Sequence, residues 1–93
     1  MIISYDETKR RQTLEHRGLD FQHADQVFAG FCLGHVDTRK DYGEVRYQTI
    51  GVLDGTPVMV IWTPRDGGRR VISMRKCNDE EKQDYYRELD RSG

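Results

Sequence analysis

The apolar positions change period partway along the chain. Residues 2–5 (IISY) read as a short strand, and Asp6 stands where a helix N-cap belongs. Residues 7–17 are rich in helix formers, and Gly18 marks the stop. Phe21, Ala24, Val27 and Phe28 fall on one helical stripe, which predicts a second, short helix over residues 21–28 capped by Asp20. Residues 29–43 read as irregular or partly extended. Beyond them β-branched and aromatic residues dominate, over 44–53, 57–64 and 69–77. Asp54-Gly55 is a two-residue hairpin signal between the first two of these strands, and Arg65-Asp66-Gly67-Gly68 turns the second into the third. Asn78 followed by Glu81 has capping-box spacing and opens a last helix over residues 79–91.

The two turns imply a register. With Asp54-Gly55 at the first corner, Ile50 faces Met59 and Tyr47 faces Trp62; with Asp66-Gly67 at the second, Ile61 faces Ile72 and Trp62 faces Val71. One face then collects Ile50, Val52, Met59, Ile61, Ile72 and Met74, the core face that the N-terminal helices are expected to cover. The other carries Tyr47, Thr49, Val58, Val60, Trp62, Val71, Ser73 and Arg75, a mixed face suited to binding. Strict alternation sends Arg46 and Lys76 to the core side, where a strand end or bulge has to free them.

Ninety-three residues suit one α+β domain, residues 1–93, with a small core. Mean hydropathy is −0.85 and no apolar run approaches the roughly 18 residues of a membrane helix, so no membrane span is expected. The N-terminus MIISYDETKRR has no apolar segment of signal-peptide kind, which points to the cytoplasm. Cys32 and Cys77 lack CxxC spacing and read as buried reduced thiols. His16, His23 and His35 share no ligand spacing with them, so no metal and no cofactor are expected. Net charge is −1, yet its distribution is uneven. Arg65, Arg69, Arg70, Arg75 and Lys76 form a basic block directly before the acidic last helix. That acidic helix, and the lack of a helix-turn-helix pattern, argue against direct DNA binding.

Several short tracts stand out along the chain. Tyr5-Asp6 with Lys9 is followed by Leu14, Gly18, Phe21, Ala24 and Val27-Phe28. Then come Asp41-Tyr42-Gly43-Glu44 with Arg46, Gly51, the stretch Arg70-Val71-Ile72-Ser73-Met74-Arg75-Lys76, and finally Glu81 and Tyr85. In order and spacing this set resembles the BrnT family of toxins. The resemblance implies a RelE-like fold, with N-terminal helices packed on an antiparallel sheet of about four strands. It also implies an RNA-cleaving toxin that halts translation. Its partner would be a BrnA-like antitoxin with a ribbon-helix-helix part, through which alone the pair touches DNA. Where the family usually has Asn-Leu and then Lys-His-Gly, this chain has Thr13-Leu14 and His16-Arg17-Gly18; Tyr5 stands where a tryptophan is usual.

RNA cleavage through the 2′-hydroxyl needs a base, a cation at the scissile phosphate and an acid for the leaving oxygen, with no metal required. Arg75 is the first candidate for the phosphate, since a guanidinium offers planar, two-point contact; its alternative is an ion pair closing the sheet edge. Arg46 is the second cation, and Glu44 is either a base or the residue that holds an arginine in place. His35, before the Asp-Tyr-Gly-Glu tract, is a candidate for proton transfer or simply a solvated histidine. Tyr47 and Trp62 suit base stacking or, equally, cross-strand packing; Lys76, Arg70 and Lys9 are candidate RNA contacts. Tyr85, Tyr86 and Leu89 on the last helix are either an antitoxin contact or the pins of that helix. The competing reading is a protein-binding module without chemistry.

Overall fold

A computed structural model describes residues 2–93. Strand β1 (Ile3–Tyr5) leads into α1 (Glu7–Arg17). Asp6 caps that helix by accepting from the Lys9 amide at 3.0 Å, and Gly18, at φ 69°, closes it by donating to the Leu14 carbonyl. Asp20 caps a single 3-10 turn, Phe21–His23, that runs into α2 (Ala24–Ala29). Then follow β2 (Leu33–Val36), β3 (Tyr47–Leu53), β4 (Thr56–Arg65), β5 (Gly68–Lys76) and α3 (Asp79–Ser92). The capping box forms as its spacing predicts: the Asn78 side chain accepts from the Glu81 amide, and the Glu81 carboxylate accepts from the Asn78 amide.

The strands make one sheet in the order β1-β5-β4-β3-β2, with β1 parallel to β5 and all other pairs antiparallel. Among the described residues the sheet is thus mixed and has five strands instead of about four. The added strand, β2, lies in the segment read as irregular; as an edge strand with a single half-buried residue, Leu33, it shows no alternation to read. Both hairpins turn on Asp-Gly pairs with positive φ, 49° and 81° at Asp54-Gly55 and 53° and 75° at Asp66-Gly67, the type I′ geometry that matches strand twist.

The β3–β4 register places Ile50 opposite Met59 and Tyr47 opposite Trp62, as the turn predicts. The second hairpin keeps Trp62 opposite Val71 but then slips, so that Ile61 faces Ser73 and not Ile72. Ile72 is the extra residue of a β-bulge, and every later side chain of β5 changes face. Met74 joins Val60, and Arg75 joins Met59, the reverse of the expected assignment.

The coverage of the two faces also differs from expectation. Leu19, Phe21, Ala24 and Val27 pack on Leu53, Val58, Val60, Val71 and Met74, the face taken from sequence as the mixed one. The side carrying Ile50, Met59 and Ile61 is covered by α3, through Tyr85 and Leu89, with Cys77, Phe31 and Leu33 around them. Both faces are therefore core over part of their area, and each fully buried side chain contributes about 1.5–3 kcal/mol. Gly51 explains which face receives α2. A Cβ there would lie 2.7 Å from Val27 Cγ1 and 2.9 Å from the Val27 carbonyl oxygen, so only glycine lets the helix sit this close to β3. Cys32 is half-buried, Cys77 is buried, and both are free thiols. No described helix is long and apolar enough to cross a membrane.

Candidate functional site

Helix α3 covers only part of its sheet face. Beside it the sheet stays open, and a hollow of about 530 Å³ forms over Ile61, Ile72 and Ser73. Its rim is cationic. Arg75 comes from β5, Arg17 from the last turn of α1, and Arg39, Lys40, Tyr42 and Arg46 from the connection between β2 and β3. Among the described residues no carboxylate lines it. The bulge at Ile72 is what turns Arg75 to this side.

Each arginine is held from behind. Arg75 donates through Nη1 and Nη2 to both oxygens of Glu81, each at 2.8 Å, and keeps 39% of its side chain exposed. This two-point bond raises the Arg75 pKa and lowers that of Glu81, in each case against the opposing cost of burial. Because Glu81 is also the N3 residue of the α3 capping box, the start of that helix is fastened to the rim.

The connection between β2 and β3 is built around Asp37, whose side chain is fully buried. Its carboxylate accepts from Arg39 Nε at 2.9 Å, Arg39 Nη2 at 2.7 Å, the Arg39 amide at 3.2 Å and the Tyr42 hydroxyl at 3.2 Å. The bonds from Arg39 hold the Asp37 carboxyl well below the usual carboxylate range despite its burial, and the Arg39 guanidinium is correspondingly raised. The Asp37 amide donates to the Arg46 carbonyl at 2.7 Å and closes the two ends of the connection on each other. Arg46 lies 4.2 Å over the Tyr42 ring and donates from Nε to Glu44 at 3.0 Å. Glu44 also pairs with Arg65 at 3.8 Å. Arg17 donates to the Met74 carbonyl at 2.9 Å.

Of the residues singled out from sequence, the fold brings Arg75 and Arg46 together on this hollow, with Glu44 behind Arg46. Arg46 precedes β3 and escapes the core at the strand end, as strict alternation required. His35 sits exposed on β2, paired across the sheet with Gln48, and does not line the hollow. Lys9 lines an adjoining hollow between α1 and β5. Arg70 is half-buried on β5 outside both. Lys76 lines a recess on the opposite side, near Leu19 and Leu53.

Tyr47 and Trp62 do not stand beside Arg75. They stack at 4.9 Å on the α2 face, where Trp62 meets Phe28 edge-on at 5.6 Å and its indole donates to Thr49 Oγ1 at 2.9 Å. The guanidinium of Arg69 covers Phe28 and Trp62 at 4.3 and 4.9 Å. The expected hollow with Arg75 next to this aromatic pair is therefore not formed, because the bulge separates them by the thickness of the sheet. On α3, Tyr85 is buried, donates to the Phe31 carbonyl at 2.8 Å and pins the helix, whereas Tyr86 stays exposed.

Sequence reasoning missed Asp37, Arg39 and Lys40, and weighed Tyr42 only as part of a tract. Their contacts at spacings of two and five residues follow no helix or strand period. The Asp-x-Arg pair next to Lys40 was the available signal.

No curated protein matches the chain. The family model described as ribonuclease toxin, BrnT, of type II toxin-antitoxin system matches residues 5–81, a span that contains every rim residue of the hollow. The chain belongs to the BrnT family of ribonuclease toxins of type II toxin–antitoxin systems.

Proposed function

We propose that this protein is itself an active endoribonuclease and that the hollow around Arg75, Arg46 and Arg39 is where it cuts RNA. The observation that carries this reading is the convergence of five cationic side chains, Arg17, Arg39, Lys40, Arg46 and Arg75, on one open recess with no carboxylate in its lining among the described residues. A phosphodiester in that recess meets preorganised guanidinium groups, which neutralise the charge that grows on phosphorus oxygens as the 2′-hydroxyl attacks and the 5′-oxygen departs. The route is metal-independent in this reading, because the arginines supply the charge a metal would otherwise bring.

Arg75 and Arg46 take the scissile phosphate. Glu44, engaged with two arginines, is assigned a positioning role. Water takes up the 2′-hydroxyl proton and returns one to the departing 5′-oxygen, while Tyr42, whose hydroxyl donates to Asp37 at 3.2 Å and whose ring lies under Arg46, is assigned a positioning role. Cleavage of cytoplasmic RNA halts translation, and a BrnA-like antitoxin with a ribbon-helix-helix part neutralises the toxin and carries any DNA contact.

Expression of the chain alone tests this, with growth and total RNA followed and Arg75→Ala as comparison. Growth arrest with RNA loss, abolished by Arg75→Ala in a protein of unchanged circular dichroism, is the expected result. Cleavage by the purified protein is expected to persist in EDTA, and co-expression of the antitoxin to restore growth. The Arg75–Glu81 pair favours the second reading, a protein-binding module in which that arginine is structural. Normal growth and intact RNA on expression alone would establish that reading in place of the first.

A further inference from the structure

We infer that the trough between α1 and β5 is a second RNA subsite, which holds a phosphate neighbouring the one at Arg75, so that the ligand is a stretch of single-stranded RNA and not an isolated nucleotide. This inference rests on the RNA-cleaving reading above and deepens it. The trough is a hollow of about 530 Å³ that shares Arg17, Ile72 and Ser73 with the first, so the two are continuous across the bulge. Lys9, Thr13 and His16 form its wall, at spacings of four and three residues that put them on one face of α1.

The cations of α1 are sorted by direction. Arg10 donates to both Asp20 and Glu7, and Arg11 donates to Glu7, so these two are neutralised on the helix side away from the trough. Lys9 and Arg17 turn into the trough, and among the described residues neither has an ion-pair partner. No carboxylate lines the trough among the described residues. The helix buries none of its own residues, so core packing alone does not account for this arrangement.

Phosphate is the ligand chemistry that fits two cations, a threonine hydroxyl and a serine hydroxyl over a shallow floor. Each hollow has the volume of a small-molecule pocket, which is room for a single nucleotide. Two such sites joined end to end follow a flexible strand along its backbone, the way single strands are tracked by basic grooves.

The experiment is fluorescence anisotropy with 2′-O-methyl oligonucleotides of two and six residues, which their own 2′-hydroxyls cannot cut, over a series of salt concentrations. Wild type is expected to bind the hexamer more tightly than the dimer. Lys9→Ala should weaken the hexamer roughly fivefold at about 0.1 M salt, the effect of one lost phosphate contact at a slope near −0.7, and lower the salt slope by that amount. It should leave the dimer unchanged, and Arg11→Ala should change neither. Equal wild-type affinity for both lengths would overturn the second subsite alone. So would equal losses in Lys9→Ala and Arg11→Ala, which would mark a diffuse charge effect. A wild type that binds neither oligonucleotide, yet binds an acidic peptide, would overturn the RNA reading together with the subsite.

Discussion

Replacement of Asp37 by asparagine isolates one carboxylate that organises a whole side of the hollow. Its side chain is fully buried and takes four hydrogen bonds, three from Arg39 and one from Tyr42. Asparagine keeps the size but loses the charge, and its amide nitrogen turns a donor toward the donors already there. Bonds to a charged group each contribute about 1.5–3 kcal/mol, but Arg39 is 61% exposed and regains water when released. A net loss of about 2 kcal/mol follows, which in a chain of this size lowers Tm by about 8–16 °C. The pH dependence supplies a second check. The folded carboxyl titrates below the unfolded one, whose pKa is about 3.9, so the Asp37 contribution is complete at neutral pH. It shrinks as pH falls below about 4 and the unfolded chain takes up the proton. Thermal melts of wild type and Asp37→Asn, from pH 7 down to pH 3, should therefore show a gap that narrows toward acid. Equal Tm values at pH 7, or a gap of constant width, would refute the argument. Because Arg39, Lys40, Tyr42 and Arg46 all ride on the connection that Asp37 closes, the variant should also bind RNA more weakly at pH 7.

Trp62→Phe should cost about 1 kcal/mol in a denaturant melt, through loss of the indole bond to Thr49, and leave RNA cleavage unchanged; a cleavage defect without a stability change would contradict its placement on the α2 face. Gly51→Ala drives a methyl into Val27 and should lower stability by about 1–3 kcal/mol in the same assay, whereas an unchanged midpoint would show that α2 yields freely. Burial pushes the Cys77 thiol up to about 11, so in a Cys32→Ser background it should react with an aromatic disulfide reagent at pH 8 only after denaturation; rapid reaction in the native protein would refute this.

The legible parts of the fold are those written in local stereochemistry. Asp54-Gly55 and Asp66-Gly67 need positive φ at both positions, and that requirement alone located the hairpins and the first register. Asp6, Asp20 and Asn78 announced their helix starts in the same way. What could not be read was parity. On β5, Val71-Ile72-Ser73-Met74 offers apolar or small side chains to both faces, so nothing in the alternation betrays an extra residue at Ile72. Nor could hydrophobicity say which face the N-terminal helices cover, since α3 makes the other apolar too; Gly51, the close-approach position, was the one marker.

That single bulge decides where the candidate chemistry lies. Without it, Arg75 would share the face of Tyr47 and Trp62, beneath the side that α2 covers, and Arg46 would lie across the sheet from it. With it, the two tracts that carried the resemblance, Asp41–Arg46 and Arg70–Lys76, place a guanidinium each on one open surface. The residue that breaks the ladder also floors both hollows, so Ile72 is at once the irregularity that defeats the alternation and the point at which the two basic recesses join. A bulge thus turns two unconnected basic tracts into a continuous cationic path, and it does so without adding a charge to a chain whose net charge is −1.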